Sequence, residues 1–209
     1  MSKVILFNFN GTVVNTKNLA IQAFNEIAKK RGYKIINNED IDCLSKLSVR
    51  NRCKRLGVPI YEMPIVGILI KKRYQQYIPG LYAVEGLQDM IQVLKERGYR
   101  LAFITSNSSS VTQQFLTNNS MDYFDYSYYS FNPFSKKKNI SSFLKKYALG
   151  PNDVIYIGDE LRDIKAAKKN RINSIAAAWG YDSVHLLTTE HVDHIAQRPA
   201  DILNILSRF

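Results

Sequence analysis

The chain is poor in the residues on which specialised folds depend. It has two cysteines, Cys43 and Cys53, set among polar and basic neighbours. Two thiols without a metal-type spacing exclude a disulfide framework and a thiolate metal site, and fit reduced side chains in a cytoplasmic protein. Its three histidines, His185, His191 and His194, fall late in the chain, and no pair has the spacing of a metal site. No apolar run approaches the roughly 18 residues of a membrane span, so no membrane partner is expected. The first apolar run, starting at Val4, comes too early for a secretory leader and lacks a small-residue cleavage site. Low-complexity linkers and internal repeats are missing too.

Acidic residues are scarce relative to basic ones: 18 Asp and Glu against 29 Lys and Arg, for a net charge of +11. The imbalance is local. Residues 16–80 hold 13 basic and 5 acidic side chains, a net of +8, whereas the remainder carries 16 and 13, a net of +3. Nucleic acid, an anionic surface or an anionic small substrate would suit such a segment, and so would solvated helix faces. No nucleic-acid-binding motif accompanies the charge, so nucleic acid is not the expected partner. Tyr123, Tyr126, Tyr128 and Tyr129 could stack bases, but packing around a strand is the expected role.

What the chain does have is an alternation of apolar runs and amphipathic stretches. With 209 residues and 45% hydrophobic content it can bury one large core with a small insertion. Residues 3–8 read as a buried strand. From 16 to 80 the pattern is helical. Thr16 is placed to cap a helix that Gly32 stops, and Asn38 to cap a second. A third follows Ser48, with Val49, Cys53 and Leu56 inward, and a longer helix over 63–78 is closed by Pro79-Gly80. Beyond Gly80 strands and helices alternate. Strands are expected over 100–105, 126–130, 153–157 and 173–179, with a weak one near His194, and helices lie between them. The expected fold class is α/β: a doubly wound, mainly parallel sheet, 1–15 and 81–209, with a small all-helical insertion at 16–80.

Polar residues cluster at the ends of these strands. Asn8 and Asn10 follow the first strand, Thr105 the second, the run Lys136–Lys138 the third, and Asp159 and Asp163 the fourth. A parallel sheet gathers such ends along one edge, where ligands bind. Each has a plain structural alternative: a helix cap for Thr105 and Asp159, a solvated loop for the lysines.

Taken in order, these segments resemble the motifs of the haloacid dehalogenase-like hydrolases, over nearly the whole chain. Asn8-Phe9-Asn10-Gly11-Thr12 is similar to the first motif except that asparagine stands where that family carries its two aspartates. Phe103-Ile104-Thr105-Ser106-Asn107 resembles the second motif. Lys136 is identified with the third from the Phe-x-Lys spacing, with Lys137 as runner-up. Tyr156-Ile157-Gly158-Asp159-Glu160-Leu161-Arg162-Asp163 resembles the fourth, and Ala178-Trp179-Gly180-Tyr181 also has the look of the family. The layout is nearest to the phosphoglycolate phosphatase-like branch, in which a helical cap closes over the site.

The resemblance implies a Mg²⁺-dependent phosphomonoesterase acting on a small anionic phosphorylated substrate, as monomer or homodimer. A dehalogenase would not need the fourth-motif metal aspartate. By family role, Asn8 holds the nucleophile position and Asn10 the acid/base position, with Thr105 and Lys136 completing the catalytic set. Gly11, Thr12, Ser106 and Asn107 would cradle the phosphate. Arg50, Arg52 and Arg55, after the turn at Ser48, would read the substrate from the cap. Asn8, Asn10, Asp159 and Asp163 would face Mg²⁺.

A carboxamide is neutral, a poor nucleophile, and exchanges no proton near neutral pH. The expected consequence is weakened Mg²⁺ binding, retained phosphate binding and turnover that is lost or strongly impaired. Two origins fit: deliberate inactivation to trap a bound state, or natural drift to a pseudoenzyme binding a phosphorylated ligand or a protein. Asn15, a third position where the family often has aspartate, leans towards drift. The intact Thr105, Asp159, Glu160 and Asp163 lean the other way.

Overall fold

The structure is a computed structural model describing residues 3–130, 132 and 134–208. The chain opens with strand β1 (Val4–Asn8), followed by four helices: α1 (Lys17–Arg31), α2 (Asn38–Ser45), α3 (Val49–Arg55) and α4 (Met63–Tyr74). A 3₁₀ segment, Gln75–Gly80, leads to α5 (Leu87–Glu96). The alternation then runs β2 (Arg100–Thr105), α6 (Ser109–Asn118), β3 (Tyr126–Tyr129), α7 (Lys136–Lys146), β4 (Val154–Gly158), α8 (Leu161–Lys169) and β5 (Asn173–Ala177). Finally come α9 (Val184–Leu187), β6 (His194–Ala196) and α10 (Asp201–Leu206).

All six strands pair in parallel, in the order β3-β2-β1-β4-β5-β6. β1 is central, and the chain order reverses on either side of it. That crossing point is where an open α/β sheet forms its ligand crevice. The strands are apolar throughout because both faces are covered. Ile5 and Phe7 point into one core layer with Leu87, Met90 and Phe115, while Val4 and Leu6 point into the other with Ile140, Phe143 and Ala167. Register does the rest: Phe7 lies beside Phe103 and Ile157, so the ends of β1, β2 and β4 are level.

Most predicted elements lie within a few residues of their expected places, and the departures have local causes. The helix expected from Val111 begins at Ser109, because Ser108 Oγ accepts from the Val111 N–H at 3.4 Å. The second helix is entered one residue early, from Asn37, whose N–H donates to Asp40 at 3.1 Å. Thr16 precedes α1, but its hydroxyl makes no cap bond and instead shares a 2.8 Å hydrogen bond with the Tyr181 hydroxyl. The long helix over 63–78 is α4 as far as Tyr74, then tightens into the 3₁₀ segment Gln75–Gly80, which contains Pro79. Tyr126 and Tyr129 pack, against Tyr147 and Phe103 respectively.

The helices between Lys17 and Tyr74 surround a small apolar centre of their own, with Phe24, Ala28, Leu44, Leu56, Val58 and Val66 buried. Arg52 of α3 ties them to the sheet by an ion pair with Asp182, beyond β5. The Ser183 N–H adds a 3.0 Å bond to the Ser45 carbonyl. No helix is long and apolar enough to cross a membrane, among the described residues.

Candidate active site

β1 ends at Asn8, and the chain folds back at once. The N–H groups of Val13 and Val14 donate to the Phe9 carbonyl, and that of Gly11 to Val14. Gly11 has φ +87°, and a Cβ there would lie 2.1 Å from Asp159 Oδ2. Gly180 presses on Asp159 from the other side, where a Cβ would come within 2.2 Å of the Asp159 Cβ. Both glycines are required by close approach to one carboxylate.

Asn8 Nδ2 donates to the Asn10 carbonyl at 2.8 Å and to Asp159 Oδ1 at 2.9 Å. Thr12 Oγ1 also donates to Asp159 Oδ1, at 2.8 Å, and the Tyr181 N–H donates to Oδ2 at 3.0 Å. Among the described residues Asp159 thus accepts from three neutral donors, with no cation in an ion pair to it. Its carboxyl is pushed up to about 7 by burial and by the charges of Glu160 and Asp163, against Lys136 and the Tyr181 N–H.

The Asn10 side chain faces the other way. It forms a reciprocal amide pair with Asn107, at 2.8 and 3.3 Å, and donates to the Tyr74 hydroxyl at 3.0 Å. Burial pushes the Tyr74 phenol up to about 12, so it stays neutral. Thr105 is buried, and its Oγ1 accepts from the Asn107 N–H at 3.1 Å. Ser106 is half-buried beside it.

Lys136 opens α7 and donates to Glu160 at 2.8 Å and Asp163 at 2.6 Å. Burial alone would lower its pKa, but the two carboxylates outweigh this and raise it. Burial likewise opposes ionisation of Glu160, yet Arg162 and Lys136 hold it below the usual carboxylate range. Asp163 also accepts from the Tyr156 hydroxyl at 2.8 Å and the Glu160 N–H at 3.1 Å.

These groups open into a cavity of about 310 Å³ between the strand ends and the helices 17–74. Asn8, Asn10, Thr105, Ser106 and Lys136 line it; Lys137 is exposed and does not. Of the three expected cap arginines, only Arg52 reaches the cavity. Arg50 and Arg55 are exposed on the outer face of α3, as helical periodicity dictates once Leu56 is buried. Arg52 is already engaged, bonding the Leu44 carbonyl at 2.7 Å, the Ser45 carbonyl at 3.3 Å and Asp182.

Sequence reasoning overlooked Lys17, Lys71 and Tyr74, all of which line the cavity. Burial lowers the pKa of both lysines. Lys17 donates to the Gly180 carbonyl at 3.4 Å, beside Asp159. Helical spacing carries a faint signal for two of them, since Lys71 and Tyr74 are three residues apart on α4.

The donor set does not suit Mg²⁺. The ion prefers carboxylate and carbonyl oxygens in octahedral array. Here the amide N–H₂ of Asn8 already donates to the Asn10 carbonyl and to Asp159, two of the oxygens that would have to hold the ion. Asp163 is committed to Lys136 and Tyr156. Among the described residues no group of three His, Cys, Asp or Glu could hold a metal ion, and no buried side-chain nitrogen or oxygen lacks a hydrogen bond.

Residues 5–177 match the model of the haloacid dehalogenase-like hydrolase family. The chain is 25% identical over 207 residues to a phosphoglycolate phosphatase of Synechococcus elongatus, covering 99% of this chain and 98% of the relative. A predicted phosphatase from Clostridium acetobutylicum superposes with a TM-score of 0.81 at 18% identity, covering 100% of both chains. An Asp-to-Asn variant of CbbY from Rhodobacter sphaeroides, in complex with xylulose-(1,5)bisphosphate, has a TM-score of 0.69 at 19% identity, covering 96% of each.

Proposed function

The chain belongs to the haloacid dehalogenase-like hydrolases, and on that premise we propose that it binds a phosphorylated small molecule at the phosphatase centre while hydrolysing it poorly or not at all. One observation carries this reading: Asn8 Nδ2 lies 2.9 Å from Asp159 and 2.8 Å from the Asn10 carbonyl. A neutral amide nitrogen stands where an aspartate would bring a second charged oxygen, and by donating it satisfies both acceptors without a cation.

Little chemistry remains. An amide neither attacks phosphorus nor shuttles a proton at neutral pH. Asn10 is further held by Asn107 and Tyr74, away from any acid/base duty. Binding is another matter. The Thr105 and Ser106 hydroxyls, the Lys136 ammonium and Lys17 all line the cavity and can donate to a phosphate. Two carboxyls are missing there relative to the family pattern, which leaves the pocket less repulsive to an anion. The bisphosphate-bound Asp-to-Asn variant of CbbY supports the separation of binding from turnover, since in that protein an Asp-to-Asn change is compatible with a phosphorylated ligand.

The test is calorimetric titration of inorganic phosphate into the full chain with a metal chelator present. Binding is expected, weaker for Thr105→Val, with no measurable hydrolysis across a panel of phosphate esters. Turnover at ordinary enzymatic rates, about 1–10³ s⁻¹, would overturn the proposal, as would a failure to bind phosphate.

A further inference from the structure

The helices 17–74 carry most of the chain's basic excess, yet of their basic residues only Lys17, Arg52 and Lys71 line the cavity. Lys29, Lys30, Arg31, Lys34, Arg50 and Arg55 are all exposed, and none lines it. The rest of what these helices turn inward is mostly apolar. Ile21, Ile36, Ile41, Val49, Met63 and Ile70 line the cavity and are only half-buried, over a floor of buried Phe24, Leu44 and Val66.

Most of the polar groups that could hold a phosphate come from the strand ends. Asn8, Asn10, Thr105 and Ser106 belong to the strand ends and the turns after them, and Lys136 opens α7 beside them. Lys17 reaches the Gly180 carbonyl beside Asp159, and Lys71 sits one turn before Tyr74, whose hydroxyl accepts from Asn10. Arg52 also lines the cavity, but two carbonyls and Asp182 already occupy its guanidinium. An apolar group would cover side chains that otherwise face water, and burial of apolar surface is favourable in proportion to its area.

We propose that the ligand is an amphiphilic phosphate monoester, its phosphate at the strand ends and a medium-length alkyl or single aromatic group in the apolar space under helices α1–α4. The inference rests on the preceding reading that the strand ends bind phosphate, and deepens it by naming the body attached to that phosphate. A cavity of about 310 Å³ is at the small end for drug-sized ligands, which limits the body to one ring or a chain of medium length.

The experiment is calorimetric titration of the full chain with inorganic phosphate and with ethyl, butyl, hexyl and octyl phosphate. Affinity is expected to rise roughly fourfold per methylene, about a hundredfold or more between ethyl and hexyl phosphate, and to level off once the cavity is full. Ile41→Gln and Val49→Gln, each at a half-buried position, are expected to narrow the hexyl-to-ethyl ratio about tenfold. Thermal melts of each variant establish that it is folded, and either one alone suffices. If inorganic phosphate binds but affinity is flat or falls along the series, the amphiphile proposal is overturned and the phosphate-binding reading stands. If neither phosphate nor any alkyl phosphate binds, the phosphate-binding reading fails and takes this proposal with it.

Discussion

Replacing Asn8 with aspartate changes one atom type and reverses the electrostatics of the centre. In the present chain the Asn8 amide donates to Asp159 Oδ1 and to the Asn10 carbonyl. After Asn8→Asp, an oxygen faces two oxygens at those distances and both donations are lost. Two carboxylates with charge centres about 4 Å apart repel by roughly 4 kcal/mol at an effective dielectric constant near 20. The variant escapes by keeping a proton on the pair: Asp159 already titrates at about 7, so at pH 7.5 holding that proton costs less than about 1 kcal/mol. The cheaper route sets the electrostatic loss, and the Asn10 carbonyl left without its donor adds about 1–2 kcal/mol, so the metal-free variant should be destabilised by about 2–3 kcal/mol. For a chain of this size each kcal/mol corresponds to about 2–4 °C in Tm, hence a fall of roughly 4–12 °C. A cation between the carboxylates reverses the effect: Mg²⁺ at about 100 times its Kd restores roughly 2.7 kcal/mol. The present chain, whose amide occupies that place, should gain little. Differential scanning calorimetry with and without Mg²⁺ tests this. Equal Tm values for the two metal-free proteins, or equal stabilisation of both by Mg²⁺, would refute the reasoning.

Asp159 titrates near 7 in the fold against 3.8 ordinarily, so the folded chain holds a proton that the unfolded chain releases. Stability should therefore fall by up to about 4 kcal/mol as pH rises from about 4 to about 7, and Asp159→Asn should flatten that slope in urea titrations. The lowered Glu160 acts in a different window: its contribution is present above the ordinary value of 4.5 and is lost as pH falls below it. Arg52→Gln leaves the buried Asp182 unpaired and should cost about 2–3 kcal/mol, less than a fully buried pair because Arg52 is 17% exposed. Hydrogen exchange at the Ser183 N–H, bonded to Ser45, should speed up; unchanged exchange would mean that the ion pair does not hold the helices to the sheet. Lys136→Met strands the buried Asp163, while Glu160 keeps Arg162, and should cost about 3–5 kcal/mol, whereas Lys137→Met should stay within about 0.5 kcal/mol of the parent. Equal effects would contradict the assignment of Lys136.

The fold was legible in the sequence because its strands are buried on both faces. Val4-Ile5-Leu6-Phe7 and Leu101-Ala102-Phe103-Ile104 read as strands without any tertiary knowledge. The strand-end residues were legible for a related reason: parallel order alone brings Asn8, Thr105 and Asp159 to one edge. The polarity of the helical lining was not. Net charge says how many lysines and arginines a segment carries, and nothing about which helix face bears them. Arg50, Arg52 and Arg55 lie within six residues, yet only Arg52 turns inward. Contacts between remote segments were equally hidden. Arg52 with Asp182, Asn10 with Tyr74 and Thr16 with Tyr181 pair residues more than 60 positions apart, and no local pattern marks either partner. In the last case the tertiary bond drew the Thr16 hydroxyl away from the helix cap that local propensity favours.

The central claim is that asparagine at positions 8 and 10 separates phosphate binding from phosphate-ester cleavage. It is tested most directly by hydrolysis of a broad panel of phosphate esters, alkyl phosphates included, at saturating Mg²⁺. The panel is run on this chain and on Asn8→Asp/Asn10→Asp. Restoring acid–base chemistry alone is worth about 10²–10⁴ in rate, and the nucleophile returns with it. The double variant should therefore hydrolyse at least one ester no less than about 10⁴-fold faster than the parent, with phosphate binding present in both. Equal rates in the two proteins, or a double variant inert on every ester, would contradict the account.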